Sequence, residues 1–486
     1  HGKSQWMRVD QNKDGFLDQP LNTSLVGLNR WFYFGPRGLE LQGGIKGVYV
    51  RNLGGASGYR KGTEQAAGNP WGFESGIDRV EGWAKIGKVS GEKQWRSIGL
   101  QLSGVYHDQH AMYGIRNYTG MQNSLYSNLI YQTIIDNTSH VIKFGASFQA
   151  DKFRETFAGV SYNRAENVPG VFTEYAWNHM DKWNVVAGLR ADYHNLFGAF
   201  LTPRLHLRYA PAEHTAIRAS IGRAQRTASL FAENMGQMAS NRSFVLMGTD
   251  PGKPYGLDPE VAWNTGVNFT HKFRLNYRDG AFATDYYYTW FQNQVVADLE
   301  NPHLIRFYNL DGLSYAHSFQ VQLDYEPVRK WDVRLAYRWY DVKTTYGGVL
   351  KERPLVAAHR AFINTGYAFK KNWSVDYTVQ WISQKRVPMV HHDGGMDMGS
   401  YSPSFIQMNA QITKGWGELI EVYIGGENLT NYMQHDIVLG RSDPFAEGFD
   451  ASVIWGPAMG RNIYAGVRLK PGARKQHIEK IEGTGR

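Results

Sequence analysis

The sequence predicts a transmembrane antiparallel up-and-down β-barrel, an all-β fold. Three observations predict it: long runs of apolar/polar alternation, the lack of any long apolar run, and alternately short and long gaps between the alternating segments. Trp331, Val333, Leu335, Tyr337 and Trp339 interleave with Asp332, Arg334, Ala336, Arg338 and Tyr340. Trp373, Val375, Tyr377, Val379 and Trp381 interleave with Ser374, Asp376, Thr378 and Gln380. A strand turns successive side chains to opposite faces, so each run has one apolar and one wet face. Here the apolar face is unusually aromatic, while Arg, Asp and Gln recur on the other. A strand reads this way when lipid lies outside a barrel and water or a polar plug lies inside.

Composition agrees with that fold. A soluble chain of 486 residues would divide into several domains, whereas a barrel can be one domain of any circumference. No run of about 18 apolar residues appears, so no transmembrane helix is expected. The mean hydropathy of −0.47 fits a barrel, because only alternate strand residues face lipid. With no Cys there is no disulfide framework to read. The formal charge of +9 comes from basic residues spread singly through strands, with one cluster from Lys470 to Lys480. Nucleic acid is therefore set aside as a partner. The chain has no Cys nucleophile, no Gly-x-Ser-x-Gly elbow, no His-Glu-x-x-His and no phosphate loop, so no enzyme is expected.

About nineteen strand segments follow from the alternation. They lie near 24–34, 38–50, 79–89, 95–107, 113–135, 138–150, 170–181, 183–196, 199–209 and 213–223, and then near 259–272, 279–297, 314–327, 330–344, 357–369, 372–386, 403–414, 418–427 and 460–470. Short connections carry turn residues, as at Gly35-Pro36-Arg37-Gly38, Asp136-Asn137-Thr138, Arg329-Lys330 and Lys370-Lys371-Asn372. Long ones at 51–78, 150–169, 224–258, 387–402 and 428–459 are rich in Gly, Asn and Met. Short periplasmic turns at one rim and long extracellular loops at the other are the outer-membrane pattern. By parity, the last strand runs inward, and so does the first. Residues 1–23 then belong to an extracellular loop, 24–470 to the barrel and 471–486 to a basic tail. An odd count that begins outside the cell implies further N-terminal strands, so the chain reads as a fragment.

Several motifs resemble one family. Thr202-Pro203-Arg204, then Ile217-Arg218-Ala219-Ser220-Ile221-Gly222 and Arg226, resembles the mid-barrel signature of TonB-dependent outer-membrane receptors. Pro259-Glu260 before Trp263-Asn264, and Gly426-Glu427-Asn428-Leu429-Thr430-Asn431, resemble later elements of it. The ending Trp455-Gly456-Pro457, Gly460-Arg461 and Ile463 to Leu469 is similar to the final strand of Bacteroidetes-type members. The resemblance implies a barrel of about 22 strands with a plug in its lumen. It also implies a location in outer-membrane lipid and partnership with the TonB-ExbB-ExbD complex. The implied cargo is a large, scarce ligand, such as an iron-siderophore, haem, cobalamin or a metal chelate. No plug or TonB box is recognisable here. A passive pore or an adhesive, surface-binding barrel is the other class the strands permit.

Three constellations are candidate sites. Asp10, Asn12, Asp14 and Asp18, with Gly15 among them, place oxygens at alternate positions. That pattern suits a structural calcium ion, or equally an Asx-rich turn held by its own hydrogen bonds; no cofactor is required. Met389, His391, His392, Met396 and Met398 crowd one loop, and Met235, Met238 and Met247 another. Thioether and imidazole ligands suit copper, and imidazole suits zinc or iron. The same residues also suit an apolar, adaptable mouth for an organic ligand or plain loop packing. Finally, Arg204, Arg218, Arg226 and Arg338, with Glu260, Asp324 and Asp376, fall on the wet face. They would pair along the lumen wall or guide an anionic substrate. The Trp residues at 331, 339, 373 and 381 and the run Tyr286-Tyr287-Tyr288 are expected in interfacial girdles.

Overall fold

The computed structural model describes residues 2–392, 395–397, 400–417 and 419–470. Most of them form one antiparallel sheet of 22 strands. Three of its members are short (Gly2–Gln5, Val160–Ser161 and Val349–Glu352), which leaves nineteen long staves from Leu21–Phe34 to Asn462–Leu469. Each long strand pairs with the next one in sequence, the up-and-down order the alternation predicts. The first long strand ends at the short-turn rim, and so does the last. Asp136 alone joins two strands there, at φ 66°, a left-handed conformation that a short polar side chain tolerates.

Two boundaries differ from expectation. The loop expected at 150–169 shrinks to a few residues around Ala158 and Gly159, because Asn137–Phe157 and Arg164–His179 keep pairing above the membrane level. Gly72–Val89 likewise begins well before residue 79. In both extensions the inward face meets the cap, as Phe157 and Phe73 do, and polar residues such as Lys152, Arg154, Glu74 and Asp78 take the outward positions that lipid-facing residues hold lower down. At the N-terminus, Gly2–Gln5 adds a short strand along Asn22–Leu25 inside the segment expected to be all loop.

Register keeps each face intact around the sheet. One cross-strand row runs Lys143, Glu174, Gly188, Arg204, Gly222, Asn264 and Thr289. Rows of the other parity hold Leu189, Leu205, Ile221, Val267, Leu335, Ile363 and Ile412, all exposed. Continuous apolar exposure on this scale needs lipid, not water, around it. Aromatic belts bound it. Trp331, Trp373, Trp183 and Tyr209 lie near the short turns, with Trp183 and Tyr209 stacked at 4.1 Å. Trp339, Trp381, Trp263 and Trp290 lie toward the loops, with the last two stacked at 5.8 Å. Trp331 and Trp339 are eight residues apart on one tilted strand, which is about 20 Å across the membrane. The Tyr286–Tyr288 run divides by parity. Tyr286 and Tyr288 face out beside His317, while Tyr287 pairs with Gly266 and Ser318 on the inward face. A strand cannot turn three successive rings to one side, so the middle one leaves the girdle.

Leu335→Arg should destabilise the folded barrel by about 2–4 kcal/mol, because it puts a charge in the lipid-facing row between the belts. Gln407→Arg, in an inward row beside Gln380, should cost much less. Urea unfolding midpoints in lipid vesicles compare the two.

Candidate functional site: the loop cap and the lumen wall

The buried apolar core among the described residues lies at the long-loop rim, in the loops and in the strand ends they cover. Phe16, Trp71, Ile437, Val438 and Phe449 form one cluster. Tyr118, Phe157, Phe231 and Met238 form a second, and Leu230, Leu257, Ile305 and Phe307 a third. A small sheet of Ser243–Leu246, Leu304–Asn309 and Val295–Asn301 ties two of the long loops together. Loops distant in sequence therefore condense into a cap at one rim, and Arg242 cross-links it. Its side chain is 2% exposed and meets Asp450 at 2.8 Å. It also donates to the carbonyls of Leu299, Asn301 and Met389 at 3.2, 3.1 and 2.7 Å. The Arg242 carbonyl in turn accepts from Arg116 at 2.7 Å. Guanidinium is the one side chain with enough fixed donors to satisfy so many acceptors at once.

Below the cap, the lumen wall is charged and mostly paired. Arg204 crosses over Gly188 to reach Glu174 at 2.5 Å, and Glu174 also meets Lys143 at 2.8 Å. A Cβ at Gly188 would stand 2.7 Å from the Arg204 Nε, so the missing side chain is what opens this path. Arg226 binds Glu260 at 2.6 Å and Glu233 at 2.8 Å. Arg190 pairs with Asp192, and Arg334 with Asp324. Arg218 donates to Asn268 at 2.9 Å. Arg338 differs: its guanidinium lies 4.3 Å above the Tyr340 ring, directly across the ladder from Arg360. A wall cavity of about 580 Å³ runs past Arg164, Arg190, Asp192, His194 and Arg226.

The loop candidates separate. Met238 is 1% exposed and Met235 packs against the same cluster, so both serve the cap's core. Met247 is 52% exposed on a different part of the cap. Met389 lends its carbonyl to Arg242. Val390–His392 pairs with Gly395–Asp397 as a small hairpin, which sets His391 opposite Met396 in the backbone register. The side chains of His391, His392 and Met396, and all of Met398, lie outside the described residues. In the N-terminal turn, Asp10 accepts the N–H groups of Asp14 and Gly15 at 3.2 and 3.1 Å. Asp14 accepts that of Phe16 at 2.8 Å, and Asp18 that of Gln11 at 2.7 Å. Asn12 and Asp14 bond each other at 2.8 Å. Among the described residues no three His, Cys, Asp or Glu side chains are grouped to hold a metal ion.

Arg242 and Arg360 escaped the sequence reading for different reasons. Arg360 lies in a segment expected to be a strand, and its parity with Phe362 and Asn364 was readable, but its partner was not. Arg242 sits in a loop, where no period marks burial.

The sequence matches the family described as TonB dependent receptor-like, beta-barrel over residues 9–429. The chain belongs to the TonB-dependent receptors and is a protein of the bacterial outer membrane. A search of curated proteins found no match. Among solved structures, the siderophore receptor PiuA from Acinetobacter baumannii is similar at TM-score 0.62 and 13% identity, over 96% of this chain and 76% of that one. The copper transporter OprC aligns at 0.68 and 12%, over 96% and 74%. The ferric-catecholate import receptor Fiu from E. coli K12 aligns at 0.65 and 10%, over 96% and 76%. At such identities these likenesses show the fold alone.

Asp450→Leu should leave the Arg242 guanidinium buried without its counter-charge, a loss of about 3–5 kcal/mol that falls on the cap. Limited proteolysis should then nick the long loops on either side of Arg242 and Asp450 while the barrel still resists heat in detergent.

Proposed function

We propose that this barrel serves the TonB-energised uptake of a scarce nutrient, bound first by the extracellular cap and then passed along the charged lumen. The observation that carries the reading is a hydrophilic, ion-paired lumen wall under a cap built from several long loops, in a chain of this family. A structureless pore would need no such cap. Iron-siderophore, haem, cobalamin and a metal or its chelate all remain within the class. Siderophore and copper receptors among the structural neighbours favour a metal-bearing cargo. The energy would come from the TonB-ExbB-ExbD complex acting on a plug supplied by polypeptide outside these strands.

Growth of the source bacterium on iron-loaded siderophores, haem, cobalamin or trace copper tests this. Deleting the gene should abolish growth on one of these, and so should deleting tonB. Uptake that survives the loss of TonB would turn the reading to a passive pore, and attachment defects without uptake defects to an adhesive barrel.

Calcium in the Asp10–Asp18 turn is a second, smaller proposal. Burial raises the Asp18 carboxyl above its ordinary value, the neighbouring charges of Asp10 and Asp14 add to this, and the Gln11 N–H opposes it. A divalent cation would relieve that crowding. Calcium should raise the thermal midpoint of the purified protein, and an Asp10→Ala/Asp14→Ala variant should lose the rise. A parent whose midpoint ignores calcium removes the idea.

A further inference from the structure

Arg338 and Arg360 occupy directly opposite positions on neighbouring strands, both on the inward face. Opposite residues of an antiparallel pair have Cβ atoms about 5 Å apart, and like charges there repel. Elsewhere on the wall Arg190, Arg204, Arg226 and Arg334 each meet a carboxylate, and the other directly opposite pair, Arg208 and Arg218, is held by the Asp181 carbonyl and by Asn268 and Thr270. Here no acid arrives. Neither Arg338 nor Arg360 has a hydrogen bond or an ion pair among the described residues, and Arg338 is steered instead by the face of Tyr340. The same cross-strand row holds Gln320, next to Arg338, and Ile382, next to Arg360. The row below holds Ala336, Phe362 and Gln380. The side-chain amides of Gln320 and Gln380 are uncommitted among the described residues. Together these residues border a cavity of about 200 Å³, enough for a small multi-oxygen anion.

A third cation stands above them. Lys385, just past the end of Trp373–Ile382, is half-buried, with its ammonium donating to the carbonyl of Trp455. Burial, and next the charge of Arg360, hold that ammonium below its ordinary value. The group lies level with Trp339 and Trp381, where the lumen opens under the cap.

We propose that Arg338 and Arg360 form an oxyanion site at the mouth of the lumen, which takes carboxylate or phosphate oxygens of an anionic solute. Two guanidinium forks on adjacent strands carry enough N–H donors to hold one planar or tetrahedral anion between them, with the two Gln amides supplying neutral donors at its edge. The bound anion supplies the counter-charge that the wall lacks at this point. The role given to the site, holding an anionic cargo before passage, rests on the uptake reading above. The binding does not.

Isothermal titration of the full chain in detergent, with inorganic phosphate and with citrate at constant ionic strength against chloride, tests it. Both anions should bind the parent, and Arg338→Gln and Arg360→Gln should each weaken binding tenfold or more. Thermal melts guard against a folding artefact: without added anion, Arg360→Gln should melt at or above the parent, because a like-charge pair is gone. Phosphate or citrate should raise the parent's midpoint and not that of the variants. No heat from the parent, or binding that survives in both variants, overturns the site. So does an anion response equally lost in Arg468→Gln, which would mark general charge screening. Uptake assays report separately, so a failed titration leaves the transport reading to stand or fall by itself.

Discussion

Inside hydrocarbon a peptide N–H or C=O has no water to bond, and each unpaired group costs several kcal/mol. The staves from Leu21 to Leu469 must therefore find partners in their neighbours, and the ladders between consecutive staves obey this closely, while Leu21–Phe34 and Asn462–Leu469 form no ladder with each other among the described residues. They run for as many as 21 residues, as in Asn137–Phe157. The sheet's register shifts fall at Tyr209/Ala212, Tyr325/Val328, Ile134/Ile135 and Val261/Ala262. All four lie at the rims, three beside short turns and one just below a long loop, where water can take the bonds a bulge releases.

That regularity dictates the lumen. Once the register is set, each inward residue has a determined neighbour on either side, and charge must be balanced locally along a row. The Lys143, Glu174 and Arg204 group shows how far the wall will bend to achieve it. A glycine at position 188 clears the way for a guanidinium to span two strands. Arg338 and Arg360 show the same geometry with the balancing acid missing.

Above the membrane the constraint lifts, and the chain returns to the physics of soluble domains. The loops bury Phe231, Phe307, Phe449 and Met238 almost completely. They also bury ion pairs, among them Arg386 with Glu300 and Arg242 with Asp450, whose desolvation is offset by carbonyls drawn from separate loops. The barrel wall carries its apolar residues outward and has no comparable core. The cap is thus where packing, rather than backbone bonding, decides the structure.

The strand pattern was legible because period two is a local property: the nineteen expected segments each overlap one long strand, and Arg204, Arg226 and Glu260 share the face opposite the exposed apolar rows. Parity also answered a question that was misjudged, since Tyr287 could not share a face with Tyr286 and Tyr288. Loop boundaries were read less well at 150–169, where alternation continues beyond the bilayer but the lipid that makes it conspicuous does not. The sites were barely legible. Met235 and Met238 looked like ligands or a mouth, and they are core, because composition cannot tell a thioether that packs from one that is offered. Arg360 opposite Arg338, and Arg242 beneath Asp450, depend on contacts between residues far apart in sequence. By itself the sequence determined which side of each strand meets lipid, since that follows from spacing along the chain. Only the tertiary structure decided which charges meet, because register and loop packing are set by partners that no local pattern names.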